Sequence, residues 1–298
     1  MPGRKRLLGA VVLNFAITIA EVIGGLASGS LALLSDALHN FSDGIALIIS
    51  YIAMLLSGRE STLKKTFGFK RAEILAALFN ASVLIIVIFF LFREAWHRLM
   101  NPIEINAGLM IIVASIGLVA NLAAVVLLKR ESKQSINVRS AYLHLLADTI
   151  SSVGVIAGGV LIVLTGISWI DPLLTVLIGC YVLKESYGIL KQTANILMQS
   201  TPEHIDIRKL KCAIEALPEV NNLHHVHVWQ INEREVNFEG HIDVCADLKL
   251  SEVAAIQRRI EQLLEAEFDI QHVTLQVEYG VCTDKNVVRE CGSGPKAL

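Results

Sequence analysis

Leu38-His39-Asn40-Phe41-Ser42-Asp43 places ionisable side chains inside an apolar run from Leu31 to Leu56. Leu143-His144-Leu145-Leu146-Ala147-Asp148 repeats its first, second and last positions inside another run, from Ser140 to Leu164. Each ionisable group in a membrane helix costs roughly 2.5–3.5 kcal/mol, so its presence there marks a function. Spacing of i,i+4 puts imidazole and carboxylate on one face of a helix, one turn apart. Two such helices facing each other would offer two imidazoles and two carboxylates to a common point, which suits a tetrahedral Zn²⁺. Cobalt(II) and cadmium remain open, whereas magnesium and calcium prefer all-oxygen cages and copper(I) prefers sulfur. The repeat looks like a duplicated functional unit.

Outward from these stretches, the chain divides. Its 298 residues are 53% hydrophobic and 18% charged, with a mean hydropathy of +0.55, too apolar for an ordinary soluble surface. Crossing a bilayer takes about 20 apolar residues at ~1.5 Å each. Six segments qualify: Leu7–Ala27, Leu31–Leu56, Ala72–Leu99, Ile105–Leu128, Ser140–Leu164 and Trp169–Leu190. The first outlasts a signal-peptide core and is broken by Asn14 and Glu21, so it reads as a membrane helix. Positive charge collects at Arg4, Lys5 and Arg6, at Arg59, Lys64, Lys65, Lys70 and Arg71, and at Lys129, Arg130, Lys133 and Arg139. The alternate connections hold only Arg93 and Arg98, so both termini are expected in the cytoplasm.

After residue 200 the periodicity changes. Amphipathic stretches Ile205–Leu217 and Ser251–Ala266 alternate with strand-like runs Asn222–Ile231, Val236–Ala246 and Gln271–Tyr279. The order α-β-β-α-β predicts an α+β domain with an antiparallel-biased sheet and its helices on one face. The expected divisions are 1–199 for the membrane part, 200–281 for the soluble domain and 282–298 for a disordered tail. A net charge of -2 and a pI near 6.5 supply no basic field for nucleic acid. Five cysteines without a CxxC read as reduced thiols.

Several polar residues surround the repeat. Asp36 and Asn40 either orient a ligand imidazole or serve helix packing. Asn14, Glu21, Asn80 and Asn121 read as interhelical hydrogen-bonding or cavity-lining groups. Asp171-Pro172 reads as a helix N-cap with proline in the first helical position, needing no functional explanation.

Metal binding requires neutral imidazoles and ionised carboxylates, so it releases protons, and protonation expels the metal. The same four side chains could carry Zn²⁺ one way and H⁺ the other. Export of a divalent cation against 100 mV costs about 4.6 kcal/mol, which a proton gradient can offset. No Walker motif is present to supply ATP energy. Two other readings stay open: a membrane metal sensor that transports nothing, and an intramembrane zinc hydrolase. Four ligands would close the shell a hydrolase must leave open, and no HExxH occurs.

Taken together, the paired HxxxD helices and the α-β-β-α-β domain closely resemble the cation diffusion facilitator family, particularly its bacterial zinc/cobalt/cadmium efflux members. Supporting stretches are Gly29-Ser30-Leu31-Ala32-Leu33-Leu34-Ser35-Asp36-Ala37, Phe67-Gly68-Phe69-Lys70-Arg71-Ala72-Glu73 and His225-Val226-His227-Val228-Trp229. The resemblance implies a homodimeric, non-enzymatic antiporter that exchanges Zn²⁺ for H⁺ by alternating access, and the short cytosolic and loop segments lead us to expect a bacterial inner membrane. It carries the transport ligands onto His39, Asp43, His144 and Asp148, with His39 favouring zinc and cadmium. It implies a ferredoxin-like soluble domain with metal positions at His224, His241 and Glu278, neighboured by His225, His227 and His272, where zinc would act as a regulator. Strict strand alternation would put His224 on the face of Val226 and Val228, opposite His225, His227 and Trp229. The Arg59–Arg71 connection has no His or Asp for a further metal site, and Glu131–Val138 is no His-rich loop.

Overall fold

The computed structural model describes the backbone of residues 2–57, 61–128, 136–280 and 287. Side chains are described there except at 2–13, 43, 46–47, 49–51, 53–57, 124, 127–128 and 136–147. The chain forms two compact units, residues 1–59 with 75–191 and residues 60–74 with 192–298. Outside the described residues lie the expected tail apart from Val287, together with Cys282 and Cys291; Cys180, Cys212 and Cys245 are free thiols.

Among the described residues the first unit is built from α1 (Pro2–Ser28), α2 (Leu31–Ser57), α3 (Ala72–Met100), α4 (Ala107–Leu128), α5 (Ile136–Thr165) and α6 (Ile170–Leu197). These follow the six apolar runs. The last runs seven residues past the predicted Leu190, and Thr193 and Ile196 in that extension are buried. α4 lies along α5, α1 packs on α2 and α4, and α2 meets α5. A core of Ala32, Leu33, Met110, Ala114, Val155 and Ile162 joins α2, α4 and α5. Close approach of α5 to α6 depends on Gly158, where a Cβ would come within 1.9 Å of Leu174 Cδ1. The outward faces are apolar as well, including Phe79, Val83, Ile86, Phe89 and Phe90 on α3. A helix apolar all round suits lipid. Among the described residues, Ala72–Met100, Asp148–Thr165 and Ile170–Leu197 are long and apolar enough to cross a membrane.

Asp171 departs from its sequence reading. It lies inside the first turn of α6, and its fully buried carboxylate caps a different helix. Oδ2 accepts from Leu31 N at 2.8 Å, while Oδ1 accepts from Ser30 Oγ at 2.5 Å and from Ala32 N at 3.2 Å. The first turn of α2 therefore borrows its cap from α6.

In the second unit, α7 (Ile207–Glu215) is capped by Asp206 and buries Leu210 and Ile214. Strands β1 (Val220–Gln230) and β2 (Val236–Val244) pair antiparallel. Helix α8 (Leu250–Phe268) then returns the chain, so β3 (His272–Glu278) lies parallel to β2 in the order β1-β2-β3. The sheet is mixed, a correction to the expected antiparallel bias: a 19-residue helix between neighbouring strands permits a crossover, where a hairpin would force reversal. Ile256, Ile260 and Leu264, one turn apart on α8, close the core over Leu223, Val226, Val228, Phe238 and Ile242.

Candidate metal centre

Imidazole and carboxylate come together in each unit. In the helical unit, His39 on α2 and Asp148 on α5 are both buried, with His39 Nε2 3.5 Å from Asp148 Oδ1. The edge of a tetrahedron with metal–ligand bonds of 2.0–2.1 Å is about 3.4 Å, so this nitrogen–oxygen pair already stands at a spacing one Zn²⁺ could bridge. The backbone places Asp43 one turn beyond His39 and His144 one turn before Asp148. The side chains of Asp43 and His144 lie outside the described residues. The ring of Tyr181 on α6 stands edge-on to His39, with centroids 6.2 Å apart.

Polar neighbours fasten this part of α2 to the helices around it. Asp36, one turn before His39, accepts from Ser151 Oγ at 2.6 Å and from Ser152 Oγ at 3.4 Å, both on α5. Asn40 donates from Nδ2 to Glu21 Oε2 at 2.9 Å, and its carbonyl accepts from Asn14 Nδ2 at 2.9 Å. Asn80 Nδ2 donates to Ser42 Oγ at 2.8 Å. Asp36 and Asn40 thus make interhelical hydrogen bonds beside His39. Ser151 and Ser152 escape sequence reasoning because an isolated serine pair in an apolar helix carries no ligand spacing. The signal that could have found them is their i,i+3 and i,i+4 relation to Asp148.

In the sheet unit, His224, His241 and Glu278 come from three adjacent strands, with ligand atoms within 4.8 Å of one another. Glu278 Oε1 lies 3.0 Å from His241 Nδ1, and Oε2 lies 3.4 Å from His224 Nε2. His224 is 1% exposed, and neither ring nitrogen has a hydrogen-bond partner among the described residues. A buried imidazole with two unmatched nitrogens beside a carboxylate fits a metal ligand.

The strand alternation expected for these histidines fails. Between His224↔His241 and His227↔Glu239, β1 carries one extra residue, and His225 adopts a left-handed φ of 49°. This bulge shifts the parity, so Leu223 before it and Val226 and Val228 after it all enter the core. His224 consequently shares a face with His227 instead of with Val226 and Val228. The rings of His225 and His241 lie 4.6 Å apart and those of His225 and His227 4.9 Å apart, so both neighbours flank the group. Val226 N, turned out of the ladder, donates to Val287 O at 2.7 Å, which ties one residue of the expected tail to the sheet. His272 pairs with Asn237 at the opposite end of β3, six residues or about 20 Å from Glu278, and does not join.

The chain is similar in sequence to known proteins. The chain is 39% identical over 282 residues to a protein named zinc transporter ZitB from Pectobacterium atrosepticum, covering 94% of this chain and 87% of that one. It is 38% identical over 278 residues to a protein from Bacillus subtilis named cadmium, cobalt and zinc/H(+)-K(+) antiporter, covering 93% and 89%. A solved structure described as the metal-bound C-terminal domain of the CzcD transporter from Cuprividus metallidurans is 27% identical, covers 25% of this chain and 99% of its own, and has a TM-score of 0.23. Residues 7–198 match the cation efflux transmembrane domain and residues 202–279 the cation efflux protein cytoplasmic domain, so the chain belongs to the cation efflux family.

Proposed function

We propose that this chain exports Zn²⁺, and with it Cd²⁺ and Co²⁺, in exchange for protons. In this reading α1 to α6 are six membrane spans forming a transport domain over residues 1–199. Residues 200–281 form a cytosolic metal-sensing and dimerisation domain, followed by the tail 282–298. The charge distribution of the connections supports both termini in the cytoplasm, and the short cytosolic and loop segments suit a bacterial inner membrane. The relatives, named as metal transporters, support cation efflux as the work done and transport in place of catalysis.

The observation that carries the reading is the buried approach of His39 Nε2 to Asp148 Oδ1 at 3.5 Å between two apolar helices. Asp43 and His144 complete a tetrahedral set. When Zn²⁺ enters, the imidazoles must be neutral and the carboxylates ionised; when protons return, they neutralise the carboxylates and charge the rings, and the cation leaves. Alternating exposure of this one set to the two sides of the membrane gives exchange. In the cytosolic domain, His224, His241 and Glu278 would hold a resident zinc that joins three strands and favours a closed homodimer.

Zinc uptake into inside-out vesicles under an acid-inside pH gradient tests the proposal. Wild type accumulates zinc in proportion to the gradient, and Asp148→Ala falls at least about 100-fold, to the level of empty vesicles. Normal uptake by Asp148→Ala would end the assignment of this site.

A further inference from the structure

We infer that Asp171 is a positioning residue for the cation site: by capping α2 from α6, its carboxylate fixes the height and rotation at which His39 meets Asp148. The inference rests on the site proposed above and adds a residue outside the ligand set and 23 positions beyond Asp148 in the chain.

A helix leaves the N–H groups of its first turn without intrahelical acceptors. In α2 they are divided between two residues. Ser30 Oγ accepts from Leu33 N at 3.1 Å, and Asp171 accepts from Leu31 N and Ala32 N as well as from the Ser30 hydroxyl. All of these groups are buried, so no water can take the place of the carboxylate. Turning α2 by one residue would rotate its first turn about 100°, and sliding it by one would shift it about 1.5 Å. Either movement withdraws the donors from Asp171.

The turn leading into α2 is held from other helices too. Ser28 O accepts from Asn106 N at 2.9 Å, Gly29 O accepts from Arg98 of α3, and Gly29 itself has a φ of 74° that suits glycine. His39 lies nine residues past Ser30 on the same uninterrupted helix, about 13 Å along its axis. A second fastening sits between them, where Asp36 takes the hydroxyls of Ser151 and Ser152 on α5. Asp36, with Asn40 and Ser42 beyond it, fastens the middle of α2, and the cap fixes its end. A negative group at the N-terminus of a 27-residue helix also complements the helix dipole.

The test is zinc transport by purified full-length protein in liposomes, with KM and kcat measured separately. Asp171→Asn keeps the volume but sets an NH2 group against backbone donors, and it should raise KM for zinc between about 10- and 100-fold in protein that is folded and inserted normally. Ser30→Ala, which removes the hydroxyl that donates to Asp171 and accepts from Leu33 N while keeping the carboxylate, should raise KM by a smaller factor, and it carries the test should Asp171→Asn fail to insert. A fall in kcat or in the amount of folded protein with KM unchanged in both variants would make Asp171 a purely structural cap and overturn the inference. Asp148→Ala in the same liposomes separates the two ideas. If it transports normally, the site itself is wrong and the inference falls with it; if it is inactive while both cap variants keep the wild-type KM, only the positioning role is lost.

Discussion

The helical and sheet units bring imidazole and carboxylate together by opposite means. On α2 and α5 the proposed ligands repeat at one helical turn on a smooth apolar background, and the backbone needs no irregularity to bring His39 to Asp148. In the sheet, His224, His241 and Glu278 each come from a different strand, and the bulge of β1 at His225 lets Val226 and Val228 rejoin the core beyond them. A helix fixes which face a residue occupies from its own spacing, whereas one extra residue in a strand reverses the face of all that follow. The helical group should therefore depend on how its intact helices are seated against one another, while the sheet group should depend also on the local irregularity at His225.

Independence of the two groups is the first thing to break. Zinc titration of detergent-solubilised full-length protein against a competing chelator should resolve two classes of bound metal. Asp148→Ala should remove one class and Glu278→Ala the other, each weakening its own site by about 100-fold, and the double variant should lose both. If one substitution abolishes both classes, the residues belong to a single coupled centre and the comparison fails.

Deleting His225 sharpens the contrast within the sheet. Deletion restores strict alternation, so His224 would turn toward Leu223's neighbours in the core or Val226 and Val228 would be driven out of it. The expected result is loss of the Glu278-dependent zinc together with destabilisation of about 2–4 kcal/mol, the scale of disrupted core packing. His225→Gly keeps the residue count and suits the φ of 49°, so it should retain His224, His241 and Glu278 as a site, with affinity within about tenfold. Equal losses in the two variants, read by the same chelator titration, would mean that the His225 ring and not the bulge builds the site.

The same contrast governs how much of the molecule is legible in its amino-acid sequence. The apolar runs are legible as helices because run length and polarity decide such a helix locally, and the shared face of His39 and Asp43, like that of His144 and Asp148, follows from turn geometry. The α-β-β-α-β order is legible from alternation. The parallel pairing of β3 with β2 is not, since it depends on where α8 delivers the chain and not on the strand's own residues. The bulge leaves no local mark, because a histidine takes the left-handed conformation at position 225 where glycine or asparagine would have signalled it. Asp171 followed by proline has the local pattern of a cap for its own helix; its oxygens instead serve Leu31, 140 residues earlier. Long-range partners of polar groups are where sequence patterns say least.

Carboxylate handling gives the smallest effect and the last point of contrast. In the helical unit, Asp36 and Asp171 are buried and take hydroxyl or backbone donors. In the sheet unit, Glu219 meets Arg259 at the surface in a two-pronged pair, Nη1–Oε1 3.0 Å and Nη2–Oε2 2.9 Å. Hydrogen bonds from Arg259 hold the Glu219 carboxyl below its ordinary value of 4.5. A carboxyl depressed in the folded state stabilises it above the unfolded value, and that contribution disappears as pH falls through the folded value. Arg259→Ala should accordingly lower the urea midpoint slightly at pH 7, by less in 1 M salt, and not at all at about pH 2, where both forms are protonated. Trp229 fluorescence in a Trp96→Phe/Trp169→Phe background reads the sheet unit directly. A penalty that persists unchanged at low pH would show that Arg259 contributes by packing along α8, and the contrast with the buried carboxylates would then rest on the helical unit alone.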